Sequence, residues 1–131
     1  MNSLIKQYYD YFNKGDAEGM LSLLDEKIEH DSNQGATHVG KEKFRSFLNH
    51  MNECYKEELK DIVIMANSDG TSAAAEFMVH GTYLKSDSGL PPANNQKYVI
   101  RAGTFFKIEN NKIKRVTTYY NLNEWIQLVS K

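Results

Sequence analysis

Apolar and aromatic residues recur at helical spacing near the start of the chain. Leu4, Ile5, Tyr8 and Phe12 form one stripe, with Lys6, Gln7 and Asp10 between them. The spacing predicts an amphipathic helix over 4–12 that stops at Asn13-Lys14-Gly15. Asp16 can accept backbone N–H bonds as the cap of a second helix, which carries Met20, Leu21, Leu23 and Leu24. A short strand is expected over 28–31, then a polar turn over 32–35. A third helix starts near Gly40 and sets Phe44, Phe47, Leu48 and Met51 on one stripe.

The period then changes. Segments 57–65, 71–83, 98–108 and 113–120 are rich in β-branched and aromatic residues and are separated by turn formers. Asn67-Ser68-Asp69-Gly70 and Asn110-Asn111 read as tight hairpin turns, and 86–95, with Pro91-Pro92, reads as a longer loop. At the end, Asn121 and Glu124 have capping-box spacing ahead of Trp125, Ile126, Leu128 and Val129. Helices followed by hairpins predict an α+β fold, with a strongly curved antiparallel or mixed sheet packed on three helices around a pocket. Strands do not alternate with long helices, which argues against a parallel nucleotide-binding sheet.

With 131 residues the chain fits a single domain, 1–131. Sixteen basic residues against seventeen acidic ones give a net charge of -1, with neither sign gathered in one half. That leaves no broad field for nucleic acid or an anionic membrane, so neither is expected as a partner. The first residues lack a basic segment followed by an apolar core, and no apolar run is long enough to span a bilayer. Together with a single cysteine, Cys54, read as buried packing in a reducing compartment, this sets the expected location as the cytoplasm.

The candidate chemistry is sparse. His30, His38, His50 and His80 show no metal-ligand spacing, and there is no phosphate loop, nucleophile elbow or dinucleotide fingerprint, so no metal or cofactor is expected. On the strand 71–83, the run Ala73, Ala75, Phe77, Val79 and Gly81 reads as the inner face. Glu76, Met78 and His80 then fall on the outer face, where Glu76 and His80 could pair with Arg101 or its neighbours in a homodimer interface.

The segments YYDYFNKGD, MLSLLDEKIEHD, GKEKFRSFLNHM and GTFFKIENNKIKRVTTYYN together resemble the nuclear-transport-factor-2-like superfamily, nearest to its ketosteroid-isomerase-related and polyketide-cyclase-like proteins. The resemblance covers nearly the whole chain in element order and implies a cone-like pocket. In ketosteroid isomerases an aspartate moves the proton, while a tyrosine and a protonated aspartic acid hold the enolate oxygen. Carried over, the tyrosine matches Tyr8 and the base matches Asp31, allowing a one-residue gap. The protonated acid's position holds Thr104, which can donate a hydrogen bond but cannot replace the acid in steroid isomerisation. The resemblance also assigns Phe106, Val116, Thr118 and Tyr120 to the pocket, while the residue pattern by itself reads Phe106 as core filling.

A carboxylate at a strand end beside an apolar cavity has raised proton affinity, which gives Asp31 a separate claim as base; as its alternative, it braces the 32–35 turn. His30 points opposite Asp31 on a regular strand and is expected at the periphery. The expected function is an isomerase, cyclase or lyase that abstracts a proton beside a carbonyl, with Asp31 as base and Tyr8 as hydrogen-bond donor. Its ligand is a small apolar organic molecule with a carbonyl or similar polar group. The competing expectations are a non-catalytic ligand-binding domain and an oligomerisation module.

Overall fold

The computed structural model describes residues 2–33 and 35–131; the expected 32–35 turn therefore lies partly outside the described residues. Helix α1 (Asn2–Lys14) is followed by α2 (Ala17–Ser22), β1 (Leu24–Asp31), β2 (Thr37–Val39), α3 (Lys41–Cys54), β3 (Tyr55–Ala66), β4 (Ser72–Tyr83), β5 (Gln96–Glu109), β6 (Lys112–Tyr120) and α4 (Leu122–Val129). The six strands form one curved, unclosed sheet in the order β2-β1-β6-β5-β4-β3. It is mixed: β1 runs parallel to β6, and the other neighbours pair antiparallel.

Local signals set most boundaries. Asp16 accepts from the Gly19 N–H at 2.8 Å, capping α2, and Asn121 accepts from the Glu124 N–H at 3.1 Å, capping α4. Asn110 and Asn111 both adopt positive φ, 50° and 60°, as a tight β5–β6 turn of the primed type requires. The second helix is shorter than its apolar spacing predicts. Ser22 is its last residue, Leu23 caps it and Leu24 already pairs with Ile113, because the Leu23 carbonyl accepts the Ile113 N–H at 2.9 Å and draws the chain into the sheet.

Face assignment on β4 follows the expectation. Ala73, Ala75, Phe77, Val79 and Gly81 are buried, whereas Glu76 is exposed and Met78 and His80 are half-buried on the other side. Arg101 stands opposite Met78, between Glu76 and His80, yet forms no ion pair with Glu76 among the described residues. The outer face also carries exposed Val63, Met65, Val99, Phe105 and Tyr119. Curvature is helped by a bulge in β3 after Lys60, where Asp61 takes φ 55°. No helix among the described residues is long and apolar enough to cross a membrane.

α1 lies across the concave face with Leu4, Ile5, Tyr8 and Tyr9 buried. Its end is fixed by Asn13, whose Nδ2 donates to the Leu59 carbonyl at 3.0 Å and whose Oδ1 accepts the Leu59 N–H at 2.8 Å. β3 is an edge strand, so these backbone groups have no further strand to pair with, and the Asn13 amide fills that place. Asn13→Ala is expected to destabilise the protein by about 1–3 kcal/mol, read as a lower denaturation midpoint with an unchanged denaturant slope.

Candidate functional site

The concave face of the sheet and helices α1, α3 and α4 enclose a partly open cavity of about 680 Å³, lined mostly by apolar and aromatic side chains. Residues paired across strands share a face, so polar groups enter this cavity in rows. One row joins His30, Val116 and Phe106, the next joins Thr118, Thr104 and Ala75, and a distant one joins Glu57, Gly81 and Tyr98.

The first row corrects the expectation for His30 and Asp31. Asp31 does not face the cavity. It shares the outer face with Thr117, its partner across β6, and its carboxylate accepts from the Thr37 hydroxyl at 2.5 Å and the Thr117 hydroxyl at 2.7 Å. These bonds hold its carboxyl below the ordinary range rather than above it. His30 is the inward residue, 5% exposed, with its ring 4.8 Å from Phe44 and 4.3 Å from Phe47 between centroids. Burial in this aromatic setting, with His38 adding repulsion, lowers its pKa to about 4, so the imidazole is neutral near pH 7. No hydrogen bond to either ring nitrogen is found among the described residues.

Tyr8 and Tyr9 both line the cavity, although α1's stripe pointed to Tyr8 alone. Their rings pack edge-on at 5.3 Å and rest on Phe106 at 5.6 and 6.0 Å. Phe106 is 1% exposed and lies behind them, so it supports the site as core rather than lining the cavity. Burial raises both phenol pKa values, which keeps Tyr8 and Tyr9 as O–H donors. The Tyr9 hydroxyl is turned toward Thr104 but has no partner at hydrogen-bond distance among the described residues. Thr104 and Thr118 share one hydrogen bond at 3.1 Å. Two hydroxyls joined by one bond retain a further O–H for a ligand. Val116, Thr118 and Tyr120 line the cavity as expected.

A second polar group, missed in the sequence, sits at the other end. Glu57 lines the cavity, and its Oε2 accepts from the Tyr98 hydroxyl at 2.5 Å. Alternation from the well-marked inner residue Leu59 was the signal that could have found it. At the rim, the His50 Nε2, Cys54 Sγ and an Asp87 carboxylate oxygen lie within 4.8 Å of one another. These donor types could hold a metal, but the His50–Asp87 pair at 2.8 Å already ties the loop after β4 to α3, and burial raises the Cys54 pKa, keeping the thiol protonated.

Residues 5–116 match the SnoaL-like domain family. The chain belongs to that family. It is 55% identical to a candidate polyketide cyclase from Pseudomonas putida, covering 96% of this chain and 95% of that one, with a TM-score of 0.95. A second candidate polyketide cyclase, from a Silicibacter species, is 54% identical over 99% and 95% of the two chains, with a TM-score of 0.97. An NTF2-like protein of unknown function from Burkholderia pseudomallei, 14% identical over 98% and 96%, shares the fold with a TM-score of 0.77. No curated protein matches the chain. The SnoaL-like family places the chain in a cyclase and isomerase type of group, and its helices and curved mixed sheet are the NTF2-like fold.

His30 also links the site to stability. Its folded pKa of about 4 lies below the ordinary 6.5, so its contribution is fully present above 6.5 and is lost as pH falls toward 4. Thermal melts from pH 7 to pH 4 are expected to show a loss of up to about 3 kcal/mol from this residue. His30→Phe should remove that part of the slope.

Proposed function

We propose that the protein is a cofactor-independent isomerase or cyclase that abstracts a proton beside a carbonyl, with His30 as general base. The observation that supports this reading most strongly is the neutral imidazole of His30, without a hydrogen-bond partner among the described residues, facing an apolar cavity that also holds the hydroxyls of Tyr8 and Tyr9, the latter unpaired among the described residues. A base must be unprotonated, and an oxyanion needs donors fixed in a dry site. Because burial makes His30 a weak base, the fitting substrate has an acidic carbon, as between two carbonyls. The C–H bond breaks, its proton goes to the imidazole, and Tyr8 donates to the enolate oxygen. Return of the proton at another carbon completes isomerisation. In cyclisation the enolate carbon instead bonds to a second carbonyl carbon, and the resulting alkoxide takes the proton from the imidazolium.

Thr104 and Thr118 would contact the ligand's oxygen atoms, and Val116 and Tyr120 its rings. Asp31 is left with a bracing role between β1, β2 and β6. On a 1,3-dicarbonyl substrate found by screening enolisable ketones, His30→Gln is expected to reduce kcat by a factor of about 10²–10⁴, with a smaller loss in Tyr8→Phe. Asp31→Asn should retain most activity. Full activity in folded His30→Gln protein would reject the base, and binding without turnover across the screen would favour a binding protein.

The outer sheet face supports a second part of the proposal, a homodimer. Exposed Phe105 and Tyr119 lie 6.0 Å apart there, beside Val63, Met65 and Val99, with Glu76 and Arg101 to set register. Light scattering should give twice the chain mass, and Phe105→Lys should give the single-chain mass.

A further inference from the structure

The carboxyl of Glu57 has no role in the chemistry assigned to His30, yet it is built into the cavity. Glu57, Gly81 and Tyr98 lie in one cross-strand row of β3, β4 and β5. A Cβ at Gly81 would stand 2.2 Å from Tyr98 Cζ and 2.4 Å from its Oη, so only glycine lets the phenol ring lie across β4 and reach Glu57. Tyr98 donates to Oε2 at 2.5 Å, and the Trp125 ring packs edge-on against Tyr98 at 5.8 Å. No protein partner of Oε1 is found among the described residues.

Among the described residues, the other titratable groups lining the cavity at this end are Tyr55 on β3, Tyr120 on β6 and Asp87 in the loop after β4, none of them a cation. Lys14 at the end of α1, Lys56 on β3 and His50 on α3 line the cavity too, but they are exposed at its rim. Burial is the main influence on the Glu57 carboxyl and raises its proton affinity, which Tyr98 only partly offsets. With Oε2 accepting from Tyr98, a proton on this group belongs on Oε1.

We propose that Glu57 is a neutral carboxylic acid whose Oε1–H donates a hydrogen bond to a carbonyl oxygen at the end of the ligand remote from His30, with Tyr98 as its positioning residue. The inference rests on reading the cavity as a small-molecule site and names the polar contact at its far end. Tyr98 and Phe106, which mark the two rows, are eight positions apart on β5, about 26 Å along a straight strand and less across a curved one. A ligand that uses both rows is therefore elongated and carries oxygen at both ends.

Equilibrium binding of 2-acetylnaphthalene, compared with its oxygen-free isostere 2-isopropenylnaphthalene, tests this without turnover. The wild type and Glu57→Gln, which keeps an N–H donor, should prefer the ketone by about tenfold. Glu57→Leu and, at a pH high enough to ionise Glu57, the wild type should lose that preference. The wild-type infrared spectrum should contain a protonated-carboxyl band that is absent in Glu57→Gln and moves when the ketone binds. Absence of the band, loss of preference in Tyr8→Phe but not in Glu57→Leu, or loss in Glu57→Gln with tighter wild-type binding of 2-naphthylmethylammonium would each overturn the proposal. Failure of both naphthalenes to bind the wild type would overturn it as well. Full turnover in His30→Gln would reject the base alone and leave these binding results standing.

Discussion

Each strand of a sheet sends successive side chains to opposite faces, and the parallel pairing of β1 with β6 fixes which residue of β1 goes to which face. His30 pairs with Val116 and turns inward, while Asp31 pairs with Thr117 and turns outward. Moving this register by one residue would exchange a buried aromatic-packed imidazole for a carboxylate and take that carboxylate away from the Thr117 hydroxyl. The same alternation carries through β5 and β4. It puts Thr104 and Thr118 beside the cavity and leaves Phe105 and Tyr119 on the outside.

The cavity persists because its walls are supported from behind. Phe106 underlies Tyr8 and Tyr9, and Phe77 packs on Tyr9 at 5.2 Å. At the opposite end, Tyr55 stacks on Tyr83 at 5.4 Å and Trp125 closes on both. The Tyr83 hydroxyl donates to the Pro91 carbonyl at 2.7 Å and accepts the Asp87 N–H at 2.9 Å, fixing the long loop near the cavity mouth. Polar groups are thus held at both ends while the middle stays apolar, which suits an elongated ligand better than a compact one.

Element order and fold were legible because their signals are local: helical stripes, caps at Asp16 and Asn121, paired asparagines at 110 and 111, and a clean inner face on β4. The family resemblance rested on the same order of elements. The site was legible only in part. Tyr8, Thr104, Val116, Thr118 and Tyr120 line the cavity as expected, since each lies in a long periodic element. The choice between His30 and Asp31 depended on a long-range parallel pairing that a short segment cannot reveal. Glu57 was hidden because a charged residue at a strand end reads as solvent-facing unless the Gly81 gap and the Tyr98 ring across it are known.

The inward orientation of His30 is the point on which the functional reading turns, and an NMR pH titration of the four imidazoles tests it most directly. His30 should remain neutral until the pH approaches 4, and its ring signals should shift when 2-acetylnaphthalene is added. An ordinary titration near 6.5 with no response to the ketone would place His30 in solvent and contradict its assignment to the cavity.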